Sequence, residues 1–320
     1  MVKKEEFFYD SSDNRTRIHA VKWIPVEKEI KGILQIAHGM LEYINRYDEF
    51  ANFIAENGFV VTGNDHLGHG DSVASEKDRG FFCECDGEIK VLEDMHNLMK
   101  IVKDVYPDIP YFLLGHSMGS FFTRRFIMSY GSELKGAIIV GTGCQPYMLV
   151  KTGQIISKII SIIKGEHYRS KFVNNLALGK NNNKFEPSRT KNDWLTRDEK
   201  IVDAYNSDEK INFMFTINAY KSMFSCISYL YNNNHLNQMK KDLPVLIISG
   251  GDDPVGDFGK GATKVYNKFK EVNMKNISLK LYENARHEII NEINRNIVYN
   301  DILCWLKELE KNTSAEDCSL

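Results

Sequence analysis

Short apolar runs alternate with amphipathic stretches of helical length through most of this chain, and such an alternation leaves few folds open. Strands are expected at Gly32 to Ala37, Gly58 to Gly63, Tyr111 to Gly115, Leu134 to Gly141, Val245 to Ser249 and Ile277 to Tyr282. Between them, Ile44 to Asn57, Glu88 to Tyr106, Met118 to Tyr130, Gly259 to Val272 and Glu288 to Leu309 carry apolar residues at helical spacing. Strands apolar along their whole length must be covered on both faces, so the pattern predicts a mostly parallel sheet with helices on either side. Two earlier runs, Glu6 to Asp10 and Arg17 to Ile24, are joined by the turn-rich Ser11-Ser12-Asp13-Asn14 and read as an antiparallel hairpin at the sheet edge.

Between about Gln145 and His235 the alternation stops, giving way to helical patterns and a polar stretch from Gly179 to Arg189. The expected organisation is a core in residues 1–144, a helical cap inserted at 145–235, and the rest of the core in 236–320. The first cap helix, Met148 to Ile163, carries Ile155, Ile156, Ile159, Ile160, Ile162 and Ile163 on more than one face. A helix so apolar must be covered, either by the core and the other cap helices alone or also by an acyl group or a lipid surface.

Composition narrows the function. A net charge of -2 offers no basic surplus, so no nucleic-acid partner is expected. Met1-Val2-Lys3-Lys4-Glu5-Glu6 lacks the apolar stretch of a signal peptide, and no uncharged apolar run approaches the roughly 18 residues of a membrane span. An intracellular, cytoplasmic protein is expected. The six cysteines lack disulfide-scaffold density and read as mostly free thiols; Cys83-Glu84-Cys85 lacks the paired knuckles of a structural zinc site, and Cys318, third from the end, does not fit a prenylation signal.

Residues 115 to 119 read Gly-His-Ser-Met-Gly between an expected strand and an expected helix, the context of a nucleophile elbow. Its turn holds the serine in a strained conformation and leaves no room for larger neighbours, so Ser117 is the candidate nucleophile. A serine hydroxyl needs a general base within hydrogen-bond reach and an acid that holds the base in the right tautomer. Gly250-Gly251-Asp252-Asp253-Pro254-Val255 follows one late strand, and Asn284-Ala285-Arg286-His287-Glu288 follows the next. Both loops lie at carboxyl ends of strands, where open α/β sheets build their sites. His287 is the candidate base and Asp253 the candidate acid, with Asp252 its rival and Asp257 read as a helix cap.

Other histidines fit less well. His116 would point away from the nucleophile and reads as a packed residue. His66 and His69 lie in a glycine-rich loop without an identifiable third ligand and read as structural hydrogen-bonding groups. The oxyanion formed during acyl transfer needs preorganised backbone N–H groups, one from the residue after the nucleophile and one from a loop after an earlier strand. These are Met118 and Met40, the latter in His38-Gly39-Met40.

With these segments in order, the chain resembles the α/β-hydrolase superfamily, and within it the monoacylglycerol lipase and lysophospholipase group, also classed with the S33 serine aminopeptidases. The resemblance rests on His38-Gly39-Met40 with Arg46-Tyr47, Asp65-His66-Leu67-Gly68-His69-Gly70-Asp71-Ser72, Gly115 to Gly119, Gly250 to Asp253 and His287. It implies hydrolysis of a small-molecule or lipid ester through an acyl-enzyme on Ser117, with no cofactor and no metal. An amidase or aminopeptidase, a short-chain carboxylesterase and a noncatalytic binding protein remain as rivals. Peripheral contact with a membrane surface through the cap is a further expectation.

Overall fold

The computed structural model describes residues 1–317; Cys318 lies outside them. Eight strands form one sheet: β1 (Val2–Asp10), β2 (Arg17–Pro25), β3 (Gly32–Ala37), β4 (Phe59–Asn64), β5 (Tyr111–His116), β6 (Gly136–Val140), β7 (Val245–Gly250) and β8 (Ile277–Tyr282). Their order is β1-β2-β4-β3-β5-β6-β7-β8, antiparallel at β1/β2 and β2/β4 and parallel throughout the rest. This is the mostly parallel sheet that the alternation predicts, in the α/β-hydrolase arrangement that the resemblance implies.

The central strands bury every residue, and the strand pleat sends alternate side chains to opposite faces. From β5, Tyr111 and Leu113 join a core with α2 (Gly87–Val105), α3 (Met118–Tyr130) and α7 (Ile217–Tyr229). Phe112 and Leu114 join the opposite core, with α1 (Asp48–Glu56) and α10 (Arg295–Asp317). Among the buried polar residues of the sheet, Gln35 of β3 has its amide satisfied by Tyr111 Oη at 2.6 Å and the Met95 carbonyl at 3.0 Å.

Between β6 and β7 the chain is helical: α4 (Tyr147–Lys164), α5 (Lys171–Leu178), α6 (Glu199–Ser207), α7 and α8 (Asn233–Leu236). Here the structure overturns one of the two alternatives, that the core and the other cap helices alone cover the first of these helices. Its inner face is the row Val150, Gly153, Ser157 and Ser161, whereas Ile162 and Ile163 are 75% and 70% exposed and Met148, Ile155 and Ile159 also face outward. The small inner row lets α4 approach α7 closely, since a Cβ on Gly153 would meet the Phe224 ring at 2.9 Å. Ile156 and Ile160 pack partly against the core, while Ile155, Ile159, Ile162 and Ile163 are left outside.

Two further expectations change near the carboxyl ends of the last strands. The helix α9 (Lys260–Glu271) is preceded by Gly259 in the N-cap position, and Asp257 is not its cap: Asp257, Phe258 and Gly259 all take positive φ, coiling the chain away before the helix begins. The final helix starts at Arg295 rather than Glu288. Glu292 accepts hydrogen bonds from the Arg286 amide and the Arg197 guanidinium and so holds residues 286–292 as a loop with one short turn.

Candidate active site

The site lies where β3, β5, β7 and β8 end. Ser117 is poised between β5 and α3 at φ 52° and ψ −117°, a conformation L-residues avoid. The turn demands both flanking glycines. A Cβ on Gly115 would stand 2.1 Å from Thr123 Oγ1, and one on Gly119 2.1 Å from the Ala37 carbonyl oxygen. Ser117 donates its amide to the Val140 carbonyl, and Met118 opens α3, so its N–H belongs to the helix's unpaired first turn and points with the positive end of the helix dipole.

His287 follows β8 and is buried, with Nδ1 2.9 Å from Asp253 Oδ1. Asp253, fully buried, also accepts from the Val255 amide at 2.9 Å and lies 3.3 Å from Ser249 Oγ. The neighbouring carboxylate goes elsewhere: Asp252 faces outward and pairs with Lys184. Of the two aspartates left open by sequence, Asp253 is the one on His287.

The loop carrying Met40 closes the site from the β3 side. A Cβ on Gly39 would stand 3.1 Å from Ser117 Cβ, so this backbone lies against the serine. Met40, Ser117, Met118 and His287 all line one cavity of about 360 Å³, and Asp253 lies behind His287. Phe121, Leu149, Val150, Leu176, Met223 and Phe224 make its apolar walls. Leu149 belongs to α4 and Leu176 to α5, so the exposed apolar surface of the cap runs to the cavity.

His116 is packed, as expected, but it also reaches the site, with Nδ1 2.9 Å from Glu42 Oε1 and Nε2 3.4 Å from the His287 carbonyl. His38, His66 and His69 form a buried ring cluster with centroids 4.2 and 5.1 Å apart. His69 meets the expected hydrogen-bonding role through the Leu67 carbonyl, whereas neither ring nitrogen of His66 has a partner; its ring packs instead on His38 and Phe122. Burial and mutual repulsion keep these rings neutral, pushing His66 well down and His69 down to about 3. Among the described residues, the cluster with metal-ligand geometry is His19, Asp65 and Asp71. Its atoms are committed otherwise: Asp65 Oδ2 to His19 Nδ1 and the Asp71 amide, and the Asp71 carboxylate to Lys210.

Sequence reasoning missed Trp194. Its ring centroid lies 5.1 Å from that of His287, its carbonyl accepts the His287 amide at 3.4 Å, and it lines the cavity. The cap thus reaches over the core to hold the loop of the candidate base. No local signal marks a tryptophan in a polar segment for this task.

The sequence model of the family described as serine aminopeptidase, S33, matches residues 28–294. The monoglyceride lipase of Rattus norvegicus is 26% identical over 285 residues, covering 86% of this chain and 82% of that protein. A thermostable carboxyl esterase from Bacillus coagulans, solved in complex with glycerol, superposes with a TM-score of 0.89 at 27% identity, covering 97% of this chain and 100% of the other. A soluble variant of the Saccharomyces cerevisiae monoglyceride lipase, solved with a substrate analog, superposes at 0.77 with 22% identity over 97% and 96% of the two chains.

Proposed function

The chain belongs to the serine aminopeptidase S33 family, in the monoacylglycerol lipase group of the α/β hydrolases, and from that premise we propose that it hydrolyses carboxylic esters of lipid-like alcohols. The substrate is a monoacylglycerol or a lysophospholipid. His287 takes the proton of Ser117 as its oxygen attacks the ester carbonyl; the oxyanion is received by the N–H groups of Met40 and Met118, each worth about 3 kcal/mol in the transition state. His287 then protonates the departing alcohol, and water activated by the same imidazole releases the acid. Asp253 keeps the His287 Nδ1 proton in place and balances the imidazolium charge.

One observation carries this reading: a serine on a strained turn shares an apolar cavity with a histidine whose far nitrogen sits on a buried carboxylate. The apolar walls suit an acyl chain. An aminopeptidase would need a carboxylate for the substrate ammonium; Glu42 and Glu288 at the cavity are already bonded to Arg46, which leaves Asp257, exposed and 3.8 Å from Lys260. Acid release from a long-chain monoacylglycerol, the matching lysophospholipid and a short-chain ester tests the proposal. Preference for a long-chain substrate supports it, preference for the short ester points to a general carboxylesterase, and cleavage of amino-acid anilides instead would reject it.

The outward face of α4 extends the proposal to peripheral contact with lipid. Met148, Ile155, Ile159, Ile162 and Ile163 stand exposed among Lys151, Lys158 and Lys164, while none of the described helices is long and apolar enough to cross a membrane. Burying an isoleucine is worth about 1.5 to 3 kcal/mol, so replacing Ile162 and Ile163 with serine is expected to weaken sedimentation with anionic vesicles by about tenfold or more. Equal sedimentation of parent and variant, or none by either, dismisses the contact.

A further inference from the structure

One buried carboxylate, Glu42, is bonded to the residues that precede Met40 and Ser117 and is linked through Arg46 to the residue that follows His287. Its Oε1 accepts the amide of Gly39, the residue before Met40. The same oxygen lies 2.9 Å from Nδ1 of His116, the residue before Ser117, and accepts from Tyr47 Oη at 2.9 Å. Its Oε2 accepts from Arg46 Nη1 at 3.0 Å, and Arg46 grips Glu288, the residue after His287, with two bonds of 2.8 and 2.9 Å. His116 closes the circuit, with Nε2 3.4 Å from the His287 carbonyl. We propose that Glu42 is a positioning residue for the esterase reaction, fixing the Met40 N–H, Ser117 and His287 relative to one another through Gly39, His116 and Arg46-Glu288. The inference rests on the esterase reading above.

The physical case is that these contacts are costly unless they are all made. Glu42 is 2% exposed, and a carboxylate so far from water is tolerated only when paired and fully hydrogen-bonded. Burial opposes its ionisation, but the positive charges of His116 and Arg46 and the hydrogen bond from His116 outweigh burial and hold the carboxyl well below its usual range. Burial likewise disfavours the His116 cation, yet the charge and hydrogen bond of Glu42 hold His116 above its ordinary value. Glu288 is held down by Arg46 against its own burial. Two carboxylates, a guanidinium and the His116 ring, whose two nitrogens lie against Glu42 and the His287 carbonyl, therefore form one interlocked cluster at the cavity, and moving any one of them leaves a buried polar group unpaired. A brace of this kind resists sub-ångström drift of the oxyanion donors, whose value depends on their distance to a charge that exists only in the transition state.

The test is steady-state kinetics of the full chain with Glu42→Gln and with Tyr47→Phe, on an ester the parent hydrolyses, well below each variant's melting temperature. Losing an oxyanion donor outright costs about 10²- to 10³-fold in kcat, so misplacing one by removing the Glu42 charge is expected to lower kcat by about 10²-fold with KM within about threefold. Tyr47→Phe removes one hydrogen bond from the same oxygen, leaves every charge paired and so keeps the fold; kcat is expected to fall by about three- to tenfold with KM again held. Glu42→Asp, which keeps the charge but shortens the reach to Gly39 and His116, is expected to fall between them. An unchanged kcat in Tyr47→Phe together with an unchanged kcat in folded Glu42→Gln overturns the inference, as does a rise in KM with kcat preserved. If the parent hydrolyses no ester, the esterase reading fails and this inference with it; an active parent whose variants keep their kcat sinks the inference alone.

Discussion

Ser117→Ala is expected to fold like the parent and to lose about six orders of magnitude in kcat toward any ester it cleaves. The fold should survive because the backbone, not the hydroxyl, makes the local contacts: the Ser117 amide bonds to the Val140 carbonyl, and its carbonyl accepts the Ser120 amide. Alanine at φ 52° carries the same strain as serine. The loss is confined to the attacking oxygen, leaving the Met40 and Met118 N–H groups and the cavity, which alone keep a residual acceleration of about 10³ to 10⁴ over water. An equal melting temperature and an intact-mass shift by a fluorophosphonate in the parent but not the variant would establish Ser117 as the nucleophile. A noncatalytic binding protein with the same fold would label in neither, and labelling of both would assign the reactive group to another residue.

The same features separate what sequence carries from what it does not. The bounds of β3 and β8 match the sequence expectation at both ends, and α3 does too, because periodicity and the flanking turn residues are local properties of the chain. Ser117 was legible for the same reason, since its turn is specified by the two glycines beside it. Which face of α4 turns inward was not legible. Hydropathy favours burying the isoleucines, but the answer depends on the fit of Gly153 against Phe224 of another helix, a property of two surfaces. Glu42 illustrates the limit most sharply: His116 is 74 positions away and the Arg46 partner Glu288 lies 242 positions beyond Arg46, so nothing in their neighbourhoods announces the cluster. The sequence favours Asp253 but keeps Asp252 as its rival, because adjacent turn residues differ only in where their side chains point. The chain's return past Ala285, whose carbonyl accepts the Asp252 amide, aims one carboxylate at His287 and the other at Lys184.

That difference sets the second large effect. Asp253→Asn is expected to lower kcat by two to four orders of magnitude, with up to about 10⁴ the loss seen when the supporting carboxylate of such a triad becomes an amide. Where in this range it falls depends on how the amide settles. The oxygen nearest His287 also accepts the Val255 amide, so an asparagine gains by keeping its oxygen there and turning its NH₂ toward Ser249, whose hydroxyl can accept. In that orientation His287 keeps its proton on Nδ1 and can still receive the serine proton; what is lost is the negative charge opposite the imidazolium. The opposite orientation would set an N–H against the Val255 N–H and force the proton of His287 to the nitrogen facing Ser117, abolishing its action as base. The local hydrogen bonds favour the first, so the loss should lie toward the lower end, with a stable fold. Asp252→Asn removes only a partly exposed pair with Lys184, worth no more than about 1 kcal/mol, and turnover should stay within about twofold. Measuring kcat and the melting temperature of the two variants side by side decides the matter: an inactive Asp252→Asn beside an active Asp253→Asn would transfer the role, and two fully active variants would remove the carboxylate from the mechanism.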